Sequence, residues 1–364
     1  MNQNSDQSEI FAPLESLEGL AQRKNSNFYL KKEKYDPHLE VQGHRGAGPK
    51  HNTLEAFQMA IDFGLDTVEL DVWLSNDNQL AVYHGEGDHG LIDYMGGKVQ
   101  VVSLNMEQIQ NLNFYHQKKS QAQTLKVMSD ADNCTQQLDQ NSSLLSNESL
   151  KQQQQNQFLT EEEEQQEQLH IKTRVPSLRE VLMLCKDKIR CNIELKGGQD
   201  EKLLVYQVLD LVKELEMQDQ IELSSFQHRY YDLAVSYINE KKLEQVLEEN
   251  SEAQQIQEIK YPKFGFLVEF PKDIEQEFIQ KFQNQQYNKS VGNTINFPGE
   301  FLENENAVEN LKTLKNQFGL NLTTWFSYDK KESKEIYDNL RNIGVNCIIT
   351  NEPELINQYR TFQE

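Results

Sequence analysis

Three carboxylates fall on two short apolar runs, in positions that packing alone does not explain. In Thr67-Val68-Glu69-Leu70-Asp71-Val72-Trp73-Leu74, aliphatic and polar residues alternate. A strand turns successive side chains to opposite faces, so Glu69 and Asp71 share one face while Val68, Leu70, Val72 and Leu74 share the other. The run Cys191 to Lys196 repeats the design, with Ile193 and Leu195 on one face and Asn192, Glu194 and Lys196 on the other. If the aliphatic faces meet helices, all three carboxylates point inward, where like charges repel and lose hydration unless they are compensated. A divalent cation resolves that repulsion. Oxygen donors without thiolates or a His-x-x-His spacing suit Mg²⁺ or Ca²⁺ rather than zinc or copper. A buried salt-bridge cluster with Lys196 or Arg45 resolves it equally well on spacing alone.

Gly43-His44-Arg45-Gly46-Ala47-Gly48 supplies an imidazole and a guanidinium at the end of another short apolar run, with glycines that let the backbone approach closely. His44 is suited to relaying a proton and Arg45 to gripping a phosphate with its planar fork of donors. His84 closes the run Leu80-Ala81-Val82-Tyr83, shortly after the Glu69/Asp71 strand, and brings a second imidazole to the same place. Two histidines beside a cation make an acid/base pair. His89, His116, His170 and His228 lie in loops or polar stretches and are expected to be structural.

These residues need a scaffold that brings strand ends together. Short apolar runs alternate with helical patterns, as a parallel α/β fold requires. Strands are expected at 39–44, 67–74, 191–196, 221–225, 264–268, 294–297, 321–326 and 345–350, with an extra extended piece at 79–84. That is about the number that closes a barrel, so the expected fold is a TIM-like (β/α)8 barrel. Helices are expected at 53–63, 176–184 and 331–343, the last stopping at Gly344. From about His116 to Leu169 the chain turns to Gln, Asn, Ser and Glu, with few apolar residues to bury; this reads as a partly disordered insertion. Residues 1–37 form a weakly patterned extension ending at Asp36-Pro37, before a barrel domain at 38–364.

Composition bounds the partners. With 36 Lys and Arg against 58 Asp and Glu, the 364-residue chain carries a net charge of −22. That argues against sequence-independent nucleic-acid binding and against a basic membrane-surface protein, while leaving room for a locally basic pocket. The N-terminus lacks the pattern of a signal peptide and no run of about 18 apolar residues occurs, so a spanning helix is not expected. Cys134, Cys185, Cys191 and Cys347 are dispersed and read as reduced thiols, consistent with a cytoplasmic location. Nothing in the composition names a protein partner.

Taken in order, His44-Arg45-Gly46, Asn52-Thr53 with Ala56-Phe57, Val68 to Val72 and Val82-Tyr83-His84 resemble the signature of glycerophosphodiester phosphodiesterases. Pro176-Ser177-Leu178, Asn192 to Lys196, Ser224-Ser225-Phe226, Thr324-Trp325 and Gly344 through Pro353 resemble later landmarks of that family, so the likeness spans about Val41 to Leu355 outside the Gln-rich tract. The resemblance implies a TIM-like barrel that hydrolyses a glycerophosphodiester, such as glycerophosphocholine, to glycerol phosphate and an alcohol with one divalent cation. It further implies Glu69, Asp71 and Glu194 as metal ligands, His44 and His84 as the acid/base pair, Arg45 and Lys196 as phosphate-binding residues and Trp325 in the substrate pocket. Two positions depart from the pattern: His51 stands where the family usually has Glu, and Gly85 where it often has Asp. A lysophospholipase D acting on lysophospholipids would use the same chemistry, but no obvious exposed apolar helix offers lipid docking. A non-catalytic phosphate-binding barrel would need the Arg and Lys more than two histidines.

Overall fold

The computed structural model describes residues 39–84, 101–111, 174–249, 260–327 and 330–361. The N-terminal extension, the Gln-rich tract, Gly85, His89, His116 and His170 lie outside the described residues.

The chain begins with β1 (Glu40–Gly43), α1 (Leu54–Phe63), β2 (Thr67–Leu74) and β3 (Leu80–Val82), followed by α2 (Met106–Gln110), α3 (Leu178–Cys185) and β4 (Arg190–Gly197). Helix and strand then alternate through α4 (Glu201–Glu214), β5 (Ile221–Ser225), α5 (Arg229–Glu249), β6 (Lys263–Leu267), α6 (Gln276–Gln283), β7 (Gly292–Pro298), α7 (Glu305–Phe318), β8 (Asn321–Trp325), α8 (Lys334–Asn342), β9 (Cys347–Thr350) and α9 (Pro353–Thr361). All parallel strands pair with their neighbours, and β1 pairs with both β2 and β9, so eight strands close a barrel and β3 hangs antiparallel on β2. The expected TIM-type fold is therefore observed.

Local chemistry sets the boundaries. Thr53 caps α1 by accepting from the Ala56 N–H, and Gly64 ends it at φ 69°, a left-handed conformation that costs glycine nothing. Ser177 and Glu180 form a capping box at the start of α3, which leaves Pro176 outside a helix expected to include it. Helix α8 starts later than expected because Ser333 caps it; Lys331 and Glu332 precede it, and Glu332 turns into the protein. The inward/outward alternation holds: Val68, Leu70, Val72, Leu74, Ile193 and Leu195 pack in the core with Phe57, Ala60, Leu178 and Val181 of the surrounding helices. Each of these Val, Leu, Ile and Phe side chains contributes roughly 1.5–3 kcal/mol by leaving water. At the end of the barrel where strands begin, Glu40, Arg190 and Glu222 line a separate polar hollow.

Candidate active site

Register in the sheet assembles the carboxylates. Parallel pairing sets Glu69 opposite Asn192 and Asp71 opposite Glu194. One carboxylate oxygen from each of Glu69, Asp71 and Glu194 lies within 4.8 Å of the others, and all three residues are buried. Strand β3 explains how His84 arrives: the hairpin folds back along β2, the Tyr83 N–H donates to the Asp71 carbonyl, and the Trp73 indole N–H donates to the His84 carbonyl. His44 follows β1 directly and its N–H donates to the Thr350 carbonyl.

The loop after His44 is tightly wound. Arg45 (φ 57°) and Gly46 (φ 94°) both take left-handed backbone conformations, and a Cβ on Gly46 would sit 2.7 Å from the Ala56 backbone. The turn aims the Arg45 N–H at Glu69 Oε2 (3.0 Å) and its guanidinium Nε at Asp71 Oδ2 (3.3 Å). Lys196 Nζ lies 2.7 Å from Glu194 Oε1 and 3.5 Å from Asp71 Oδ1, and Asn52 donates to Asp71 Oδ2 at 2.7 Å. The salt-bridge arrangement is thus present, but it is incomplete as charge compensation, since two cationic side chains face three carboxylates.

The electrostatics show where the excess falls. Burial would raise the Asp71 carboxyl, but Arg45, Lys196, His84 and the Asn52 hydrogen bond hold it well below the usual carboxylate range. Burial pushes Glu194 up to about 7 against the opposing pull of Lys196. Glu69 is raised well above its ordinary value by burial and by its two carboxylate neighbours. A site with excess negative charge on hard oxygen donors fits a divalent cation.

His44 is buried, and burial together with the Arg45 charge lowers its pKa to about 3. Its Nδ1 lies 2.7 Å from Asn351 Oδ1, and the Asn351 amide is oriented by its own Nδ2 donating to the Phe326 carbonyl. That amide orientation makes Nδ1 the protonated ring nitrogen of a neutral imidazole and leaves Nε2 as the basic one. Asn351 is held in turn by Glu332, which accepts from the Asn351 N–H (2.6 Å), the Thr350 hydroxyl (2.6 Å) and the Tyr337 hydroxyl (2.7 Å).

His44, Arg45, Glu69, His84, Glu194, Lys196 and Trp325 line one cavity of about 490 Å³, with Asp71 buried beside them and ion-paired with Arg45. The structure therefore brings together the eight residues expected to form the site. His51 is near enough to His44 to act on its charge but does not line the cavity. His228 is structural as expected, wedged against Phe266 and Phe278 with Nε2 bonded to the Leu267 carbonyl. Ser224 is not among the residues expected in the site, yet it lines the cavity along with Asn192, Phe226 and Glu269. Alternation along β5 gives the signal for Ser224; for Glu269, beyond the end of a strand, periodicity gives none. Asn351 and Glu332 are likewise visible only through their contacts.

Comparison with known proteins agrees with this geometry. Similar solved structures include a glycerophosphodiester phosphodiesterase of Thermotoga maritima (TM-score 0.51, 23% identity, covering 90% of this chain and 100% of the other). Another is the Oleispira antarctica phosphodiesterase in complex with its product sn-glycerol-3-phosphate (TM-score 0.56, 15% identity, 88% and 96% covered). A third is a glycerophosphodiester phosphodiesterase of Parabacteroides distasonis (TM-score 0.53, 15% identity, 89% and 97% covered). At these identities the likeness establishes the fold. No curated protein matches the sequence. The model of the glycerophosphoryl diester phosphodiesterase family matches residues 44–355, which covers seven of the eight barrel strands and every residue of the cavity named above, and the chain belongs to that family of phosphoric diester hydrolases.

Proposed function

We propose that this protein hydrolyses small glycerophosphodiesters, such as glycerophosphocholine, to glycerol phosphate and an alcohol in the turnover of phospholipid-derived diesters. The observation that carries the reading is the convergence of three carboxylates, two cationic side chains and two histidines on one cavity. Glu69, Asp71 and Glu194 would hold one divalent cation, Mg²⁺ or Ca²⁺, which when bound supplies positive charge against the phosphoryl oxygens. Arg45 and Lys196 add their own charge to the diester and orient it. His44, neutral and fixed by Asn351, accepts the proton of the attacking oxygen at Nε2 as that oxygen bonds to phosphorus. His84 delivers a proton to the alcohol oxygen as its bond to phosphorus breaks, and Trp325 lines the wall beside the substrate. Cys185, Cys191 and Cys347 are buried free thiols, which suits the cytoplasm, and among the described residues no helix is long and apolar enough to cross a membrane.

The test is release of glycerol phosphate from glycerophosphocholine by the purified protein in EDTA, Mg²⁺ or Ca²⁺, beside His44→Ala and beside the same assay on lysophosphatidylcholine. Cation-dependent release from the soluble diester, lost in the variant, is expected. Release only from the lysophospholipid would replace this reading with a lysophospholipase D, and no release from either substrate would replace it with a phosphate-ligand binder.

A further inference from the structure

One side of the cavity carries no part of the hydrolytic machinery. Phe226 follows the end of β5, Glu269 lies just past the end of β6, and Trp325 closes β8, so all three stand at the mouth. Phe226 is 41% exposed and meets the Trp325 ring edge-on, centroids 6.0 Å apart at 86°. Lys196 Nζ stands 6.0 Å from the Phe226 ring centre, so that ring reaches from the proposed phosphate position to the outer wall. The cavity continues outward into a second hollow of about 570 Å³, with Phe226, Leu267 and Glu269 common to both.

Glu269 is the unexpected member. Its backbone N–H and that of Phe270 donate to Asp273 Oδ2 at 3.1 and 2.8 Å, which fixes the loop. Its carboxylate is exposed and has no ion-pair or hydrogen-bond partner among the described residues. Lys272 and Lys281, which line the outer hollow, lie over the Phe270 and Tyr287 rings at 5.1 and 5.4 Å instead. Glu269, Asp273 and Glu277 line the outer hollow against Lys272 and Lys281, so the mouth carries net negative charge that repels a purely anionic diester. It attracts one that carries a positive charge at the far end, and aromatic rings beside it are the other element that recognises alkylammonium groups.

We infer that Phe226, Trp325 and Glu269 form the subsite for the leaving alcohol and select glycerophosphodiesters whose alcohol carries an ammonium group. This rests on the phosphodiesterase reading above. The rings take the alkyl surface and charge of the ammonium, Glu269 balances that charge, and Arg45 and Lys196 hold the phosphate at the other end.

The full chain, with its cation, is assayed on glycerophosphocholine and on glycerophosphoglycerol, whose alcohol is uncharged. Wild type is expected to favour the choline diester in kcat/KM. Glu269→Gln is expected to lower the choline-to-glycerol ratio of kcat/KM by about tenfold, Glu269→Asp to restore part of it, and Phe226→Leu to lower it by about threefold or more. A ratio in Glu269→Gln within twofold of wild type, with both diesters hydrolysed, overturns the subsite and leaves the phosphodiesterase reading intact. Hydrolysis of neither diester by wild type overturns that reading, and this inference with it.

Discussion

The ring Nδ1 of His44 and the amide oxygen of Asn351 lie 2.7 Å apart, although 307 positions separate them in the chain. Because Asn351 Nδ2 is committed to the Phe326 carbonyl, the amide cannot turn over without losing both bonds, and His44 keeps one tautomer. Asn351→Ala is expected to lower kcat by about 10–100-fold with a smaller change in KM, since it releases the orientation of the proposed base without touching the charges proposed to bind phosphate. Steady-state kinetics read alongside a thermal melt check this. A fall in KM affinity alone would show that Asn351 does not orient His44.

Burial and its two carboxylate neighbours hold the Glu69 carboxyl well above its ordinary range, whereas Asp71 is matched by Arg45 and Lys196. Adding Mg²⁺ or Ca²⁺ at about 100 times its Kd is expected to stabilise the wild type by roughly 2.7 kcal/mol, and Glu69→Gln is expected to lose most of that gain. Differential scanning fluorimetry with and without cation measures this independently of turnover. An equal rise in Tm in both proteins would remove Glu69 from the metal set.

At the opposite end of the barrel, burial and the nearby Glu40 push Glu222 up to about 7. A folded pKa above the unfolded value means that the native state binds the proton more tightly, so this contribution to stability is complete below about 4.5 and is lost as pH rises through about 7. Between pH 5.5 and 8.5, wild type is therefore expected to lose more Tm than Glu222→Gln, which has no proton to give up. Parallel Tm profiles for the two proteins would refute this.

Removal of Gln117–Gln168 is expected to leave Tm within about 2 °C and kcat within about twofold, because that composition offers little apolar surface to bury. The barrel closes through β1, β2 and β9 without it. Loss of the cooperative thermal transition after deletion would assign the segment a structural role.

The sequence by itself determined the barrel and most of the residues that meet in its cavity. Strict alternation in Thr67 to Leu74 told inside from outside, and the observed β2 has those same bounds, because one buried face fixes strand register through every second side chain. Strand ends were less legible. Caps at Ser177 and Ser333 moved two helix starts by hydrogen bonds that periodicity does not encode. Only the tertiary structure decided that Asp71 lies beside Glu194, that Glu332 and Asn351 hold His44, and that Ser224 and Glu269 reach the cavity. Those relationships join residues from different strands and loops. Their meaning depends on closure of the ring, which sets distances and removes water, and a linear pattern carries neither.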